Sequence, residues 1–264
     1  MRGFMVAGLA AFSILAPSVA HASDWSRKYT LSGKAELRVE TNDASVDVRS
    51  GDVNWIEARV TTVGWRINAS EVNVVESQAG NVVNLGVRVP REFFGIGNRS
   101  AHITLIVPRQ LTAVIRTADG HISADGLSGD IRLSSGDGRI DAQRMDGVLD
   151  AATGDGRIEI SGRFDKLNVK TNDGAVVVKI GDGSKMAGPW RVQSGDGSVE
   201  IGVGDKFNAD IDAHTGDGHI TVDVPVTMSR SRGESTFRGK LNAGGEALVV
   251  RTGDGAIHIR RTIL

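Results

Sequence analysis

The chain has 264 residues with 31 basic and 32 acidic side chains, a formal charge of −1. So even a balance leaves no electrostatic footprint for nucleic acid or an anionic membrane surface. There is no cysteine, which excludes disulfides, thiol nucleophiles, thiolate metal sites and a lipid-modified N-terminal cysteine.

The first residues combine Arg2, an apolar run from Phe4 to Ala16, a break at Pro17, and Ala20-His21-Ala22. One early positive charge, a short apolar core and small residues at −3 and −1 describe a secretory signal peptide over 1–22, cleaved after Ala22. The run is too short to cross ~30 Å of hydrocarbon at ~1.5 Å per residue, and no second run of spanning length occurs in the rest of the chain. The mature chain is therefore expected to be exported without a transmembrane segment, to the periplasm, the cell surface or the medium. Loss of Arg2 leaves 30 basic against 32 acidic side chains, a charge of −2. An exported chain without disulfides must draw its stability from burial and backbone hydrogen bonds.

Residues 23–112 alternate apolar and polar positions loosely, with strands expected around 55–63, 70–76, 81–89 and 102–107. Thr41-Asn42-Asp43-Ala44-Ser45-Val46 is a degenerate copy of a motif that recurs towards the C-terminus. Pro90 to Ser100, with Phe93, Phe94, Gly95, Gly97 and Asn98, reads as a loop. This part is expected to form wide, irregular coils continuous with the regular coils of residues 113–264.

Residues 113–264 carry the repeat. A Ser/Thr-x-Asp-Gly-x-Ile/Val corner occurs seven times, with Asp119-Gly120, Asp137-Gly138, Asp155-Gly156, Asp173-Gly174, Asp196-Gly197, Asp217-Gly218 and Asp254-Gly255. The aspartates are separated by 18, 18, 18, 23, 21 and 37 residues. Each corner is flanked by period-2 segments whose equivalent positions are apolar in every copy, such as Ile122, Ile140, Ile158, Val176, Val199, Ile220 and Ile257. Rows of that kind bury themselves only against neighbouring copies. The pattern predicts an all-β fold, a single-stranded, β-helix-like β-solenoid with ~18–23-residue coils. Asp-Gly between alternating runs is also a hairpin signal, so an antiparallel meander is the rival. At the corners, Gly is expected to supply positive φ, and Asp to close the turn by bonding the local backbone. The polar, Gly-rich segment 229–245 is expected to protrude and to account for the 37-residue gap.

At 107–160 the chain resembles the bacterial DUF4097 family of β-strand-repeat proteins, often labelled adhesins. The residues that carry the likeness are the Val107-Pro108 entry, the T/S-x-D-G-x-I/V repeats and the Gly-Leu-Ser-Gly linker at 126–129. The resemblance spans about 33 to 261 and implies a β-helix-like fold and an envelope location. It supplies no catalytic residues. In this chain Asp stands before the corner Gly where the family more often has Ser.

Two constellations could carry chemistry. Stacking would align the corner aspartates ~4.8 Å apart along one edge, but one carboxylate per corner falls short of the 6–8 oxygens that calcium takes, so they are read as structural and no metal is assigned. Rows of base and acid on the outward parity, Arg139, Arg157 and His219 beside Asp141 and Glu159, are candidate binding residues for a glycan or protein. Their plainer reading is a solvated sheet face with ion pairs. His102, His121, His214, His219 and His258 show no ligand spacing, and no nucleophile elbow or phosphate loop occurs. Trp55, Trp65 and Trp190, with Phe93 and Phe94, are taken as exposed aromatics serving packing or end-caps. The expectation is an exported, non-catalytic, adhesin-like binding or scaffolding module of the cell envelope without a cofactor. A self-associating structural solenoid and a polysaccharide-active β-helix enzyme are the alternatives.

Overall fold

The computed structural model describes residues 22–90, 99–232 and 234–262. The expected signal peptide, save Ala22, lies outside the described residues, as do Phe93, Phe94, Gly95, Gly97 and Asn98.

The described residues are all β. The loosely patterned first part supplies β1 (Ala22–Thr30), β2 (Ala35–Thr41), β3 (Ser45–Gly51), β4 (Trp55–Val63), β5 (Asn73–Ala79), β6 (Val82–Arg88) and β7 (Ser100–Pro108). The repeats supply β8 (Gln110–Arg116), β9 (Ile122–Asp125), β10 (Ser128–Ser134), β11 (Ile140–Ala152), β12 (Ile158–Lys170), β13 (Val176–Ile180), β14 (Trp190–Gln193) and β15 (Val199–Val203). The last part holds β16 (Ala209–Thr215), β17 (Ile220–Asp223), β18 (Val226–Arg232), β19 (Thr236–Leu241), β20 (Ala247–Thr252) and β21 (Ile257–Arg261).

Repeat copies pair with each other in parallel and in register: Ile122 opposes Ile140, then Ile158, Val176, Val199 and Ile257. The two strands flanking a corner do not pair with one another, so the Asp-Gly corners make no hairpins and the meander is excluded. Two ladders result. The first runs β5–β6–β2–β8–β10–β11–β12–β14–β20–β16–β19–β18. The second runs β1–β4–β7–β3–β9–β11–β12–β13–β15–β21–β17. The 13-residue strands β11 and β12 belong to both ladders.

Alternation puts one side of each ladder into a common core. Ile122, Ile140, Ile158, Val176, Val199 and Ile257 form one fully buried row, and Ile115, Leu133, Ala151, Val169, Val192 and Val250 another. Each buried Ile, Leu or Val contributes ~1.5–3 kcal/mol by leaving water. Trp190, expected at the surface, is fully buried, stacked on Phe207 at 5.4 Å and edge-on to Phe164 at 6.1 Å. Trp65 packs partly buried against the core, and Trp55 lies under the Lys28 ammonium, 3.8 Å from its ring centre.

The chain does not visit the ladders in sequence order. A tier is a pair of strands consecutive in the chain, one on each ladder. The tier of β2 and β3 lies between that of β6 and β7 and that of β8 and β9. At the other end, β20 and β21, the last in sequence, lie between the β14–β15 tier and the β16–β17 tier. The segment expected to protrude at 229–245 instead forms most of the antiparallel hairpin β18–β19, which covers the outer edge of β16. The 37-residue gap therefore holds a hairpin and a return of the chain into the stack. The outermost strands are β5 and β18 on one ladder, β1 and β17 on the other, and three of these four are antiparallel additions that end the parallel stacking.

Candidate binding surface

The corner is closed by the hydroxyl. In the tier around Gly138, the Gly138 amide donates to Ser135 Oγ (2.9 Å), and Ser135 Oγ donates to the Gly120 carbonyl of the tier before (3.1 Å). Thr153 repeats the second bond to Gly138 (2.9 Å), Thr171 to Gly156 (3.1 Å), Ser194 to Gly174 (2.9 Å), Thr252 to Gly197 (2.8 Å) and Thr215 to Gly255 (2.8 Å). These hydroxyls are buried and satisfied, as buried polar groups require.

None of the seven corner glycines has a positive φ. Glycine is needed because backbones approach closely: a Cβ on Gly138 or Gly156 would lie within 3.0 Å of the carbonyl oxygen of the glycine one tier before. Ala44 fills the same place in its own tier and offers its carbonyl to Gly120 in the same way. The seven aspartates do not close the turn. All are exposed, and none has a side-chain hydrogen bond or ion pair among the described residues. Nor do the described residues bring three His, Asp or Glu side chains together in a way that could hold a metal ion.

The outward face of the second ladder gathers four of the five candidate residues. Arg139 reaches Asp141 at 2.7 Å and Glu159 at 3.5 Å, and Glu159 also receives Arg157 at 3.6 Å and Lys179 at 3.5 Å. The hydrogen bond to Asp141 holds the Arg139 guanidinium above its usual range, reinforced by the charges of Asp141 and Glu159. His121 joins Asp141 at 3.5 Å and His102 joins Asp47 at 3.1 Å. Base and acid thus neutralise each other, leaving little free charge to attract a ligand. His219 is not part of this network: it precedes β17, which lies beyond β12 with β13, β15 and β21 between.

The first ladder is different. Three concavities of about 630, 490 and 390 Å3 run together along its outward face. The first two share Glu40, Asn84, Gly86 and Arg116, and the second and third share Arg132. β5, with Val75 61% exposed, lines one end, and Gly188 and Pro189 line the other. Those two residues belong to the longer loop of the 23-residue spacing, anchored by Lys185 and Ala187 amides on the carbonyls of Phe164 and Asp165 (both 2.9 Å). In this groove Arg38 pairs with Glu36 and Arg132 with Asp130, whereas Arg116, Lys166 and Arg191 have no acidic partner among the described residues. Each is exposed, and each comes from a different tier. The sequence signal was three basic residues on outward parity, visible only once the register aligns them.

No family model and no curated protein matches the chain. Solved structures with a similar course are distant. A putative cell adhesion protein from Clostridium sporogenes aligns at 14% identity and TM-score 0.47, over 92% of this chain and 100% of that one. A putative adhesin from Bacteroides fragilis aligns at 10% identity and TM-score 0.43, over 89% and 96%. Another, from Parabacteroides merdae, aligns at 11% and 0.42, over 90% and 96%.

Proposed function

We propose that the chain is an exported, non-catalytic β-solenoid of the DUF4097 kind, an adhesin-like module of the bacterial envelope that binds an anionic linear polymer along the first ladder. Residues 23–112 form its wider coils and 113–264 its regular ones. The observation that carries the binding role is the groove itself; the distant likenesses add nothing to it. An extended chain lying across parallel strands meets a new tier every ~4.8 Å. Arg116, Lys166 and Arg191 offer it charges that form no ion pair among the described residues, and the lower effective dielectric of a concave site strengthens such contacts. Nucleic acid is not the expected ligand, since the residues lining the groove include no aromatic platform for bases.

The test is fluorescence anisotropy of the full mature chain with labelled polygalacturonate, with neutral dextran as comparison. Binding of the polyuronate that weakens at least tenfold in R116E/K166E/R191E, and falls with added salt, supports the reading. Equal binding by the triple variant, or by dextran, overturns the groove. Shortening of the polymer during incubation overturns the non-catalytic role.

A further inference from the structure

The tier of β20 and β21 is held on both sides by identical chemistry. Thr252 Oγ1 donates to Gly197 of the tier on one side, and Gly255 accepts from Thr215 Oγ1 of the tier on the other, both at 2.8 Å. The strands follow suit: Ile257 opposes Val199 on one side and Ile220 on the other, all in parallel register. The slot between the β14–β15 tier and the β16–β17 tier therefore selects a tier of this sequence and contains nothing that selects the chain it comes from.

The covalent link to that tier is short and bent. Residues 242–246 lead from β19, on the outside of β16, round the start of β16 and into the slot. Three of these five have positive φ: Asn242 at 52°, Gly244 at 72° and Gly245 at 151°. Asn242 is one of only two non-glycine residues with positive φ among the described residues. Its side-chain amide is pinned to the carbonyls of Asp205 (3.0 Å) and Phe207 (2.8 Å), and the Gly245 amide donates to Asp210 Oδ1 (3.2 Å). A short hinge, attached to an element whose contacts another copy can supply unchanged, is the setting for exchange between copies.

We infer that residues 247–261 of one chain occupy the slot of a second copy, giving a closed two-fold dimer in which every tier contact is kept. This rests on the strand registers and the hinge geometry, and is independent of the polymer-binding role.

The chain has no cysteine, so introduced thiols report cleanly. Ser198 and Ala256 are neighbours across the slot, the Val199 amide donating to the Ala256 carbonyl at 2.9 Å. Neighbouring strands lie ~4.8 Å apart, within the Cα separation of ~4.4–6.8 Å that a disulfide spans. Full mature chains carrying S198C and A256C singly are mixed in denaturant, refolded together at high concentration and gently oxidised. The expected result is covalent heterodimer several-fold above a control mixture of S198C and S32C, Ser32 lying beside Asn81 at the other end. Two glycines inserted after Ala243 should lower that yield. Heterodimer no more abundant than in the control, or a purely intrachain bond in S198C/A256C at every concentration, would overturn the exchange. Should a cysteine variant fail to fold, sedimentation of the unsubstituted chain refolded at rising concentration decides: a dimer that persists on dilution supports it, monomer throughout ends it.

Discussion

Gly156 lies so close beneath Gly138 that a Cβ on the former would stand within 3.0 Å of the carbonyl oxygen of the latter. The oxygen is backbone and already accepts from Thr153 Oγ1 at 2.9 Å, so it cannot move without breaking a tier contact. Gly156→Ala is expected to destabilise by about 3 kcal/mol, the upper part of the usual range for overpacking. Gly80→Ala is the comparison, with φ of +60° but nothing within 4 Å of the added carbon. It should lose only the ~1–2 kcal/mol of the left-handed backbone. Urea midpoints that rank the two the other way would show that the corner needs conformational freedom and not space.

The hydroxyl and the carboxylate of the same corner should behave oppositely. Thr171→Val removes the hydroxyl that donates to the Gly156 carbonyl at 3.1 Å and accepts from the Gly174 amide at 3.3 Å, and leaves both short of a partner. A loss of ~1–3 kcal/mol is expected. Asp173→Asn touches no bond and thins a column of like charges, so its effect should stay within ~0.5 kcal/mol. Its sign should be stabilising at ~0.01 M salt and vanish at ~0.15 M as the screening length shortens. A large loss from Asp173→Asn in denaturant melts would restore the turn-closing role that the motif suggests.

The alternating rows around Ile122, Ile140 and Ile158 and the Ser/Thr-x-Asp-Gly spacing made the strands, the buried faces and the corners legible in the sequence. The order of the tiers was not. Thr215 finds the same acceptor on Gly255 as it would on Gly197, so one corner code serves both arrangements and local pattern cannot choose between them. The groove was hidden for a related reason, since Arg116, Lys166 and Arg191 are far apart in sequence and become neighbours only through register. Trp190 misled because a lone Trp beside Gly188-Pro189 reads as surface, whereas Phe164 and Phe207 from other parts of the chain enclose it. The network of Arg139, Asp141 and Glu159 was foreseeable as a set of residues, but its mutual neutralisation needed the distances.

Tyr29, the one tyrosine in the sequence, gives a pH handle. It is 2% exposed, and burial, then the charge of Glu76, push its phenol above the usual range against a smaller opposing effect of Arg27. The unfolded chain ionises near pH ~10, while the folded chain holds the proton beyond that. The raised value means the contribution to stability is whole below pH ~10 and is lost as pH climbs further. Phenolate absorbance should therefore appear only as far-ultraviolet circular dichroism collapses, and Tyr29→Phe should postpone the alkaline collapse. Phenolate absorbance growing in a chain with native dichroism would refute the assignment.

The position of the last tier makes the most discriminating stability prediction. In a stack ordered as the sequence runs, Ile257 would sit at the frayed end and Ile220 one tier inside. In the structure Ile257 is fully buried between Val199 and Ile220, and Ile220 is only partly buried. Ile257→Ala should therefore cost the ~2–5 kcal/mol of an interior cavity, and Ile220→Ala roughly half that or less because its site is already open to solvent. Hydrogen exchange should agree, with amides of β21 among the slowest and those of β17 among the fastest, since local opening begins at the elements with fewest buried contacts. Equal costs, or faster exchange in β21 than in β17, would place the final residues at the outside of the stack and remove the basis for the slot.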